Sequence, residues 1–207
     1  MGSEVNPPKL ATRICIVGDE LAAGLGDPRA LGWSGRVLAR TRFATPAFVS
    51  TLAVPGEDTT ALGARWLAEA APRFADDADN RLVIALGRED IAQGHSIARS
   101  RLNLANILDV AASRRVRTFV VGPPPGSPDD GARIAELSGA FADVAGRRRV
   151  PYVEMYQPLA GHEQWLSDLA QSGTTYPGQA GYGLMAWLVL HAGWGDWLGV
   201  ETSGGHD

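Results

Sequence analysis

The 207 residues hold one cysteine and one lysine, Cys15 and Lys9. A lone cysteine excludes a disulfide within the chain, which fits a reducing compartment, and a cytoplasmic location is expected. Cys15 lies inside the first apolar run, where a thiol behaves as a small buried hydrophobe. No stretch approaches the ~18 consecutive apolar residues of a membrane span. Residues 1–13 are polar and proline-containing, without the apolar centre of a secretory signal. An excess of charge is missing too: 19 basic against 23 acidic residues leave a net charge of −4. That balance gives no electrostatic case for nucleic acid or an anionic membrane as partner. The one basic run, Arg147-Arg148-Arg149, reads as a charged helix C-terminus facing solvent.

What is present is an ordinary globular composition, 45% hydrophobic and 20% charged, at a length that suits one domain. Apolar runs of strand length recur at 13–17, 47–53, 81–86, 116–121 and 150–156. Continuous runs of this kind, rich in Val and Ile, predict strands buried on both faces of a parallel sheet. Segments of helical period separate them at 33–42, 59–71, 94–114 and 131–147, and a long Trp-bearing helix over 177–198 closes the pattern. In 94–114, Ile97, Leu104, Leu108 and Ala111 share one face. Asp58, Thr59 and Thr60 read as a helix start with an Asp or Thr cap. Trp165, Trp187, Trp194 and Trp197 are expected to pack the end of the chain onto the sheet, with Trp165 also within reach of a cleft. Strand and helix alternating five times predict an α/β three-layer sandwich: a five-stranded parallel sheet with helices on both faces, flavodoxin-like. One domain over 12–200 is expected, with residues 1–11 and 201–207 as flexible ends. In such sheets ligands bind beyond the C-terminal ends of the strands. That rule gathers Glu20, Gly56, Glu89 and Tyr176 at one rim.

Four segments carry a more specific signal. Residues 14–26 run Ile-Cys-Ile-Val-Gly-Asp-Glu-Leu-Ala-Ala-Gly-Leu-Gly. Residues 52–60 are Leu-Ala-Val-Pro-Gly-Glu-Asp-Thr-Thr, and residues 82–90 are Leu-Val-Ile-Ala-Leu-Gly-Arg-Glu-Asp. Near the end come Gly173-Thr174-Thr175-Tyr176-Pro177 and then Gly181-Tyr182. In order and spacing these resemble the sequence blocks of the SGNH (GDSL) hydrolases, across roughly residues 12–198. The resemblance implies that family's fold and an ester-hydrolase ancestry. It also implies roles by position. Gly56 stands where a glycine lends its N–H to the oxyanion hole. Glu20 stands in the place of the nucleophilic Ser, Glu89 in that of the oxyanion-hole Asn, Gly173 in that of the Asp and Tyr176 in that of the His. Asp19 and Asp90 match positions that make structural hydrogen bonds to nearby loops.

Ester hydrolysis by such a site needs a hydroxyl to attack, an imidazole to take its proton and donors for the oxyanion. Glu20 has no hydroxyl, a phenol is a poor base at neutral pH, and an ionised Glu89 repels an oxyanion. Conventional serine-dependent activity is therefore expected to be absent. Two carboxyls sharing a desolvated rim resist double ionisation, so one becomes an acid and the other a base. Glu20, Glu89 and Tyr176 are accordingly the expected catalytic groups of a repurposed small-molecule enzyme, for instance one that opens or cyclises an epoxide. Asp19, Gly56, Arg88, Asp90 and Trp165 are the expected ligand-binding residues. Arg88 either holds Glu89 ionised or binds an anionic substrate. One alternative is a pseudoenzyme that binds a small ligand or partner, with Glu20 paired to Arg88. A second is residual ester hydrolysis or acyl transfer. A third has Asp19, Glu20, Glu89 and Asp90 holding Mg²⁺ or Ca²⁺. The leading expectation is no metal and no cofactor, a small-molecule ligand, and an open oligomeric state. His162, the histidine nearest the last block, is read as a surface or capping residue.

Overall fold

The computed structural model describes residues 11–126 and 130–202. The apolar runs extend because β-branched residues pack well on a pleated surface that is buried on both sides. The first half of the chain runs β1 (Ala11–Gly18), α1 (Glu20–Ala23), α2 (Gly32–Ala39), β2 (Thr41–Arg42), β3 (Phe48–Ala53) and α3 (Thr59–Ala70). There follow β4 (Ala78–Ala85), α4 (Glu89–Ala92), α5 (Ile97–Ser113), β5 (Arg117–Val121) and α6 (Gly131–Arg147). The last part holds β6 (Tyr152–Val153), α7 (Tyr156–Ala160), α8 (Glu163–Ser172), α9 (Gln179–Val189), α10 (Gly195–Leu198) and β7 (Glu201–Thr202).

Five strands form one parallel sheet in the order β3-β1-β4-β5-β6. From β1 the chain crosses outward to β3 and then returns past β1 to β4. This reversal opens a crevice beyond the C-terminal ends of those three strands. Alternate residues of each strand feed the two faces. Ile14, Ile16, Val83 and Phe119 pack with Trp33 of α2, Trp165 of α8, Met185 of α9 and Trp197 of α10. Cys15, Val17, Leu82, Ile84 and Val120 pack with α3, α5 and α6 through Trp66, Leu104 and Phe141. The result is the expected three-layer α/β sandwich. Burial pushes the Cys15 thiol up to about 11, so it stays protonated as packing material. Among the described residues no helix is long and apolar enough to cross a membrane.

The structure departs from the sequence expectation in four places. The run 150–156 yields only the two residues of β6, because the Glu154 carboxylate accepts the Tyr156 and Gln157 N–H groups, 2.7 and 3.2 Å away, and turns the chain into α7. The long last helix is broken: Gly193, at φ 92°, ends the first part and α10 starts afresh. Trp194 and Trp197 do pack on the sheet, with ring centroids 5.4 and 5.1 Å from Phe119. Trp187 does not; it is half exposed and stacks on His191 at 4.1 Å. Finally, Ala11 belongs to β1, and Glu201–Thr202 pair with β2, so the folded unit reaches slightly beyond 12–200. The rest of the expected flexible ends, 1–10 and 203–207, lies outside the described residues.

Candidate functional site

Three strand ends converge at the crevice. Gly18 ends β1 in register with Ala53 of β3 and Ala85 of β4, and its carbonyl accepts the Val54 N–H at 2.9 Å. The residues that follow each strand therefore meet: Asp19-Glu20 after β1, Gly56 after β3, and Gly87-Arg88-Glu89 after β4. The last loop, ahead of α9, brings Tyr176 to the same place. Glu20, Arg88, Glu89 and Tyr176 line a cleft of about 140 Å³ together with Ile91 and Ile134.

Asp19 is buried and caps α1 by accepting the Leu21 N–H at 2.9 Å. Its Oδ2 presses on Gly87, where an added Cβ would lie 1.5 Å away. Burial, with Glu20 beside it, raises its pKa to about 7, although the Leu21 N–H and Arg88 pull the other way. The folded protein thus binds this proton more tightly than the unfolded chain. Stability falls as pH rises from the ordinary carboxylate range through about 7, and the full cost is present above that. Asp19→Asn, which keeps the capping oxygen, is expected to stabilise the protein near pH 8 by up to about 4 kcal/mol and to change little near pH 4. Urea unfolding at the two pH values measures this; equal effects at both would contradict it.

Glu20 is the centre of the site. It is buried, and its Oε2 accepts the Gly56 N–H at 2.7 Å. Tyr176 lines the same cleft, close enough for its phenol to feel the Glu20 charge. Burial first, and the Glu20 charge second, raise the phenol of Tyr176 above its usual range. Glu89, half-buried across the cleft, is also raised, by desolvation and then by repulsion from Glu20, with Arg88 opposing. No hydrogen bond joins the two carboxyls; Glu89 feels the Glu20 charge through space. Arg88 makes no ion pair with Glu20 or Glu89. Its Nη2 donates to the Thr175 carbonyl at 2.9 Å, and its guanidinium lies against Gly126. It braces the loop that carries Tyr176.

Of the five expected ligand-binding residues only Arg88 lines the cleft: Asp19 is buried beneath it, Gly56 is held by Glu20, and Asp90 and Trp165 stand apart. Asp90, about 100° round α4 from Glu89, turns away from the cleft. It accepts from the Thr59 N–H at 3.1 Å, the Thr59 hydroxyl at 2.5 Å and the Ser100 hydroxyl at 2.7 Å, with His95 Nδ1 at 3.2 Å. It is the knot tying the Gly56 loop to α4 and α5. Trp165 is buried in the core beneath α9, next to Gly181, and does not line the cleft. Gly173 ends α8 as its left-handed cap, and His162 sits at the start of α8 without a side-chain capping bond. The four acidic residues weighed as metal ligands are not gathered. Among the described residues, no group of three or more His, Cys, Asp or Glu is arranged to hold a metal ion.

Sequence reasoning missed Asp130, Thr175 and Ile134 as lining residues, and Asp168 as the anchor of the last loop. Asp168 Oδ2 accepts the Gly178 and Gly181 N–H groups at 2.5 and 2.9 Å, fixing the start of α9 and, with it, Tyr176. An acidic residue ten positions before an orphaned helix N-terminus was the available signal.

The GDSL-like lipase/acylhydrolase family profile matches residues 16–184. Among solved structures, a lipase/acylhydrolase from Enterococcus faecalis superposes with a TM-score of 0.72 at 19% identity, covering 94% of this chain and 100% of that one. TesA gives 0.69 at 21% identity, with 88% and 98% covered. The psychrotrophic esterase EstA from Pseudoalteromonas sp. gives 0.67 at 19%, with 91% and 99% covered. Among curated proteins there is no significant match. The profile spans most of the chain, the motif blocks fall at the strand ends around one crevice, and the neighbours share its fold: the chain belongs to the GDSL-like lipase/acylhydrolase family.

Proposed function

We propose that this family member has exchanged serine-dependent ester hydrolysis for carboxylate acid–base chemistry on a small molecule in the former esterase cleft. The observation that carries the reading is the Glu20–Gly56 hydrogen bond. The position expected to attack bears a carboxylate, and that carboxylate occupies the backbone donor expected to receive an oxyanion. An ester carbonyl entering the cleft meets neither a serine hydroxyl nor a free Gly56 N–H. Glu20 is instead a fixed acceptor, oriented by Gly56. Glu89, whose proton is retained to higher pH by burial and by Glu20, is the donor. In one turnover Glu20 takes a proton from the attacking group and Glu89 gives one to the departing or opening oxygen. Ring opening or cyclisation of a small epoxide fits this division, with the Tyr176 hydroxyl available to polarise the epoxide oxygen.

The corresponding experiment measures p-nitrophenyl acetate hydrolysis and turnover of a panel of small epoxides. Ester hydrolysis is expected at the buffer rate. Epoxide turnover is expected to fall by at least about 10²-fold in Glu20→Gln and again in Glu89→Gln, the usual scale for loss of a general acid or base. An active double variant would sink the proposal. A second reading, a cleft that binds without turnover, is favoured by the same bond, since a carboxylate already holding a backbone donor is well satisfied. Under that reading no panel member turns over, while a ligand that raises the melting temperature still binds Glu20→Gln.

A further inference from the structure

At the opposite, N-terminal end of the sheet, β5 and β6 are entered through two copies of one turn. Helices α5 and α6 both end on arginine, Arg114 and Arg148. In each turn the next residue is again arginine, and Val116 and Val150 follow. The Val116 N–H reaches back to the Ala111 carbonyl and the Val150 N–H to that of Ala145, both at 3.0 Å. The second arginine of each turn, Arg115 or Arg149, is left-handed, at φ 58° and 55°. Glycine is the residue such a position favours, and this chain uses it at the ends of α1, α8 and α10. Keeping a side chain there costs backbone energy that glycine avoids, and Arg149 is the one of the two that lines a cavity.

β5 and β6 pair with Val120 beside Tyr152; Arg117 opens β5, and Arg149 is the left-handed turn residue ahead of β6, at the same end of the sheet. Both are exposed, and among the described residues neither side chain meets a carboxylate, whereas Arg147 and Arg148 are paired with Asp143 and Asp109. Two like charges facing one cavity repel unless an anion lies between them. Together they line an open cavity of about 500 Å³ with Thr118, Val150, Trp197 and the single acid Asp196. The indole N–H of Trp197 is buried and has no hydrogen-bond partner among the described residues.

We propose that this cavity binds a small organic diphosphate, its two phosphoryl groups held by Arg117 and Arg149. Guanidinium matches phosphate in a bidentate fork, and two forks on one cavity suit two linked phosphates. The apolar wall of Val150 and Trp197 leaves room for an organic body beyond them. The site is separate from the cleft, with the length of β5 between them.

The test is isothermal titration of the intact chain with pyrophosphate, and separately with ADP, against sulfate at matched ionic strength. Saturable binding of pyrophosphate, ADP or both, absent with sulfate, is expected, weakening as salt rises. Arg117→Ala/Arg149→Ala should weaken binding by at least about tenfold, since each removes a charge-assisted pair of bonds. Arg133→Ala, an exposed arginine elsewhere, should not. Both sites are exposed, so unchanged melting temperatures would show that the variants fold. No saturable binding of either diphosphate, equal binding of sulfate, or undiminished binding by the double variant would overturn the proposal. So would binding of duplex DNA without binding of either diphosphate.

Discussion

On the proposed reading, rebuilding a serine-type site at four positions, Glu20→Ser, Glu89→Asn, Gly173→Asp and Tyr176→His, is expected to create ester hydrolysis that the parent chain is expected to lack. The backbone is already in place. Removing the Glu20 carboxylate frees the Gly56 N–H it now occupies, and an amide at position 89 supplies a second donor on the same rim. Histidine at 176 replaces a phenol that lines the same cleft as residue 20. Residue 173 is left-handed, a conformation that Asp tolerates better than most side chains, and nothing crowds a Cβ there. One oxyanion donor alone carries about 10²–10³ in rate, so the quadruple variant should exceed the parent by at least about 10²-fold on p-nitrophenyl acetate. Glu20→Ser alone should gain little, because its hydroxyl would still lack a base. A parent chain that already hydrolyses the ester at an enzymic rate would contradict the account.

The largest effect on stability is expected from Gly18→Ala. Gly18 has φ 151°, and an added Cβ would fall 2.0 Å from the backbone oxygen of Ala85 and 3.0 Å from its carbonyl carbon. A backbone obstacle cannot swing aside as a side chain can. The methyl must prise β1 from β4 at the point where Asp19 and Glu20 leave the sheet. We expect a loss of about 4 kcal/mol or more, enough to leave a marginally stable domain largely unfolded. Gly87→Ala meets an obstacle too, but there it is the Asp19 carboxyl, so Asp19→Ala should relieve part of its cost in a double-mutant cycle. Guanidinium unfolding measures both. A Gly18→Ala variant of parental stability would show that β1 does not end as described.

The sheet was legible because its central strands are buried on both faces, and nothing but apolar residues satisfies that demand. The tail of 150–156 misled because a carboxylate at Glu154 stops pairing through bonds that composition does not announce. The break in the last helix hinged on Gly193 inside an otherwise apolar, Trp-rich segment, where period alone cannot mark a left-handed residue. At the site, the blocks place Glu20, Glu89 and Tyr176 around one cleft. They leave open which way Asp90 points. Only the helical turn of α4 separates it from Glu89 and hands it to Thr59, Ser100 and His95. Trp165 was read near the cleft because it precedes the last block, but α8 turns it inward. The role of Arg88 depended on a carbonyl at Thr175, a backbone partner that no side-chain pattern encodes.

The central claim is that the Glu20 carboxylate holds the Gly56 N–H, and the amide proton resonance of Gly56 reports on it directly. In the parent chain this proton is expected well downfield and slow to exchange, moving upfield and exchanging faster in Glu20→Ala. A Gly56 amide with the same shift and exchange rate in both proteins would mean that the donor is free, and the case against ester chemistry would lose its foundation.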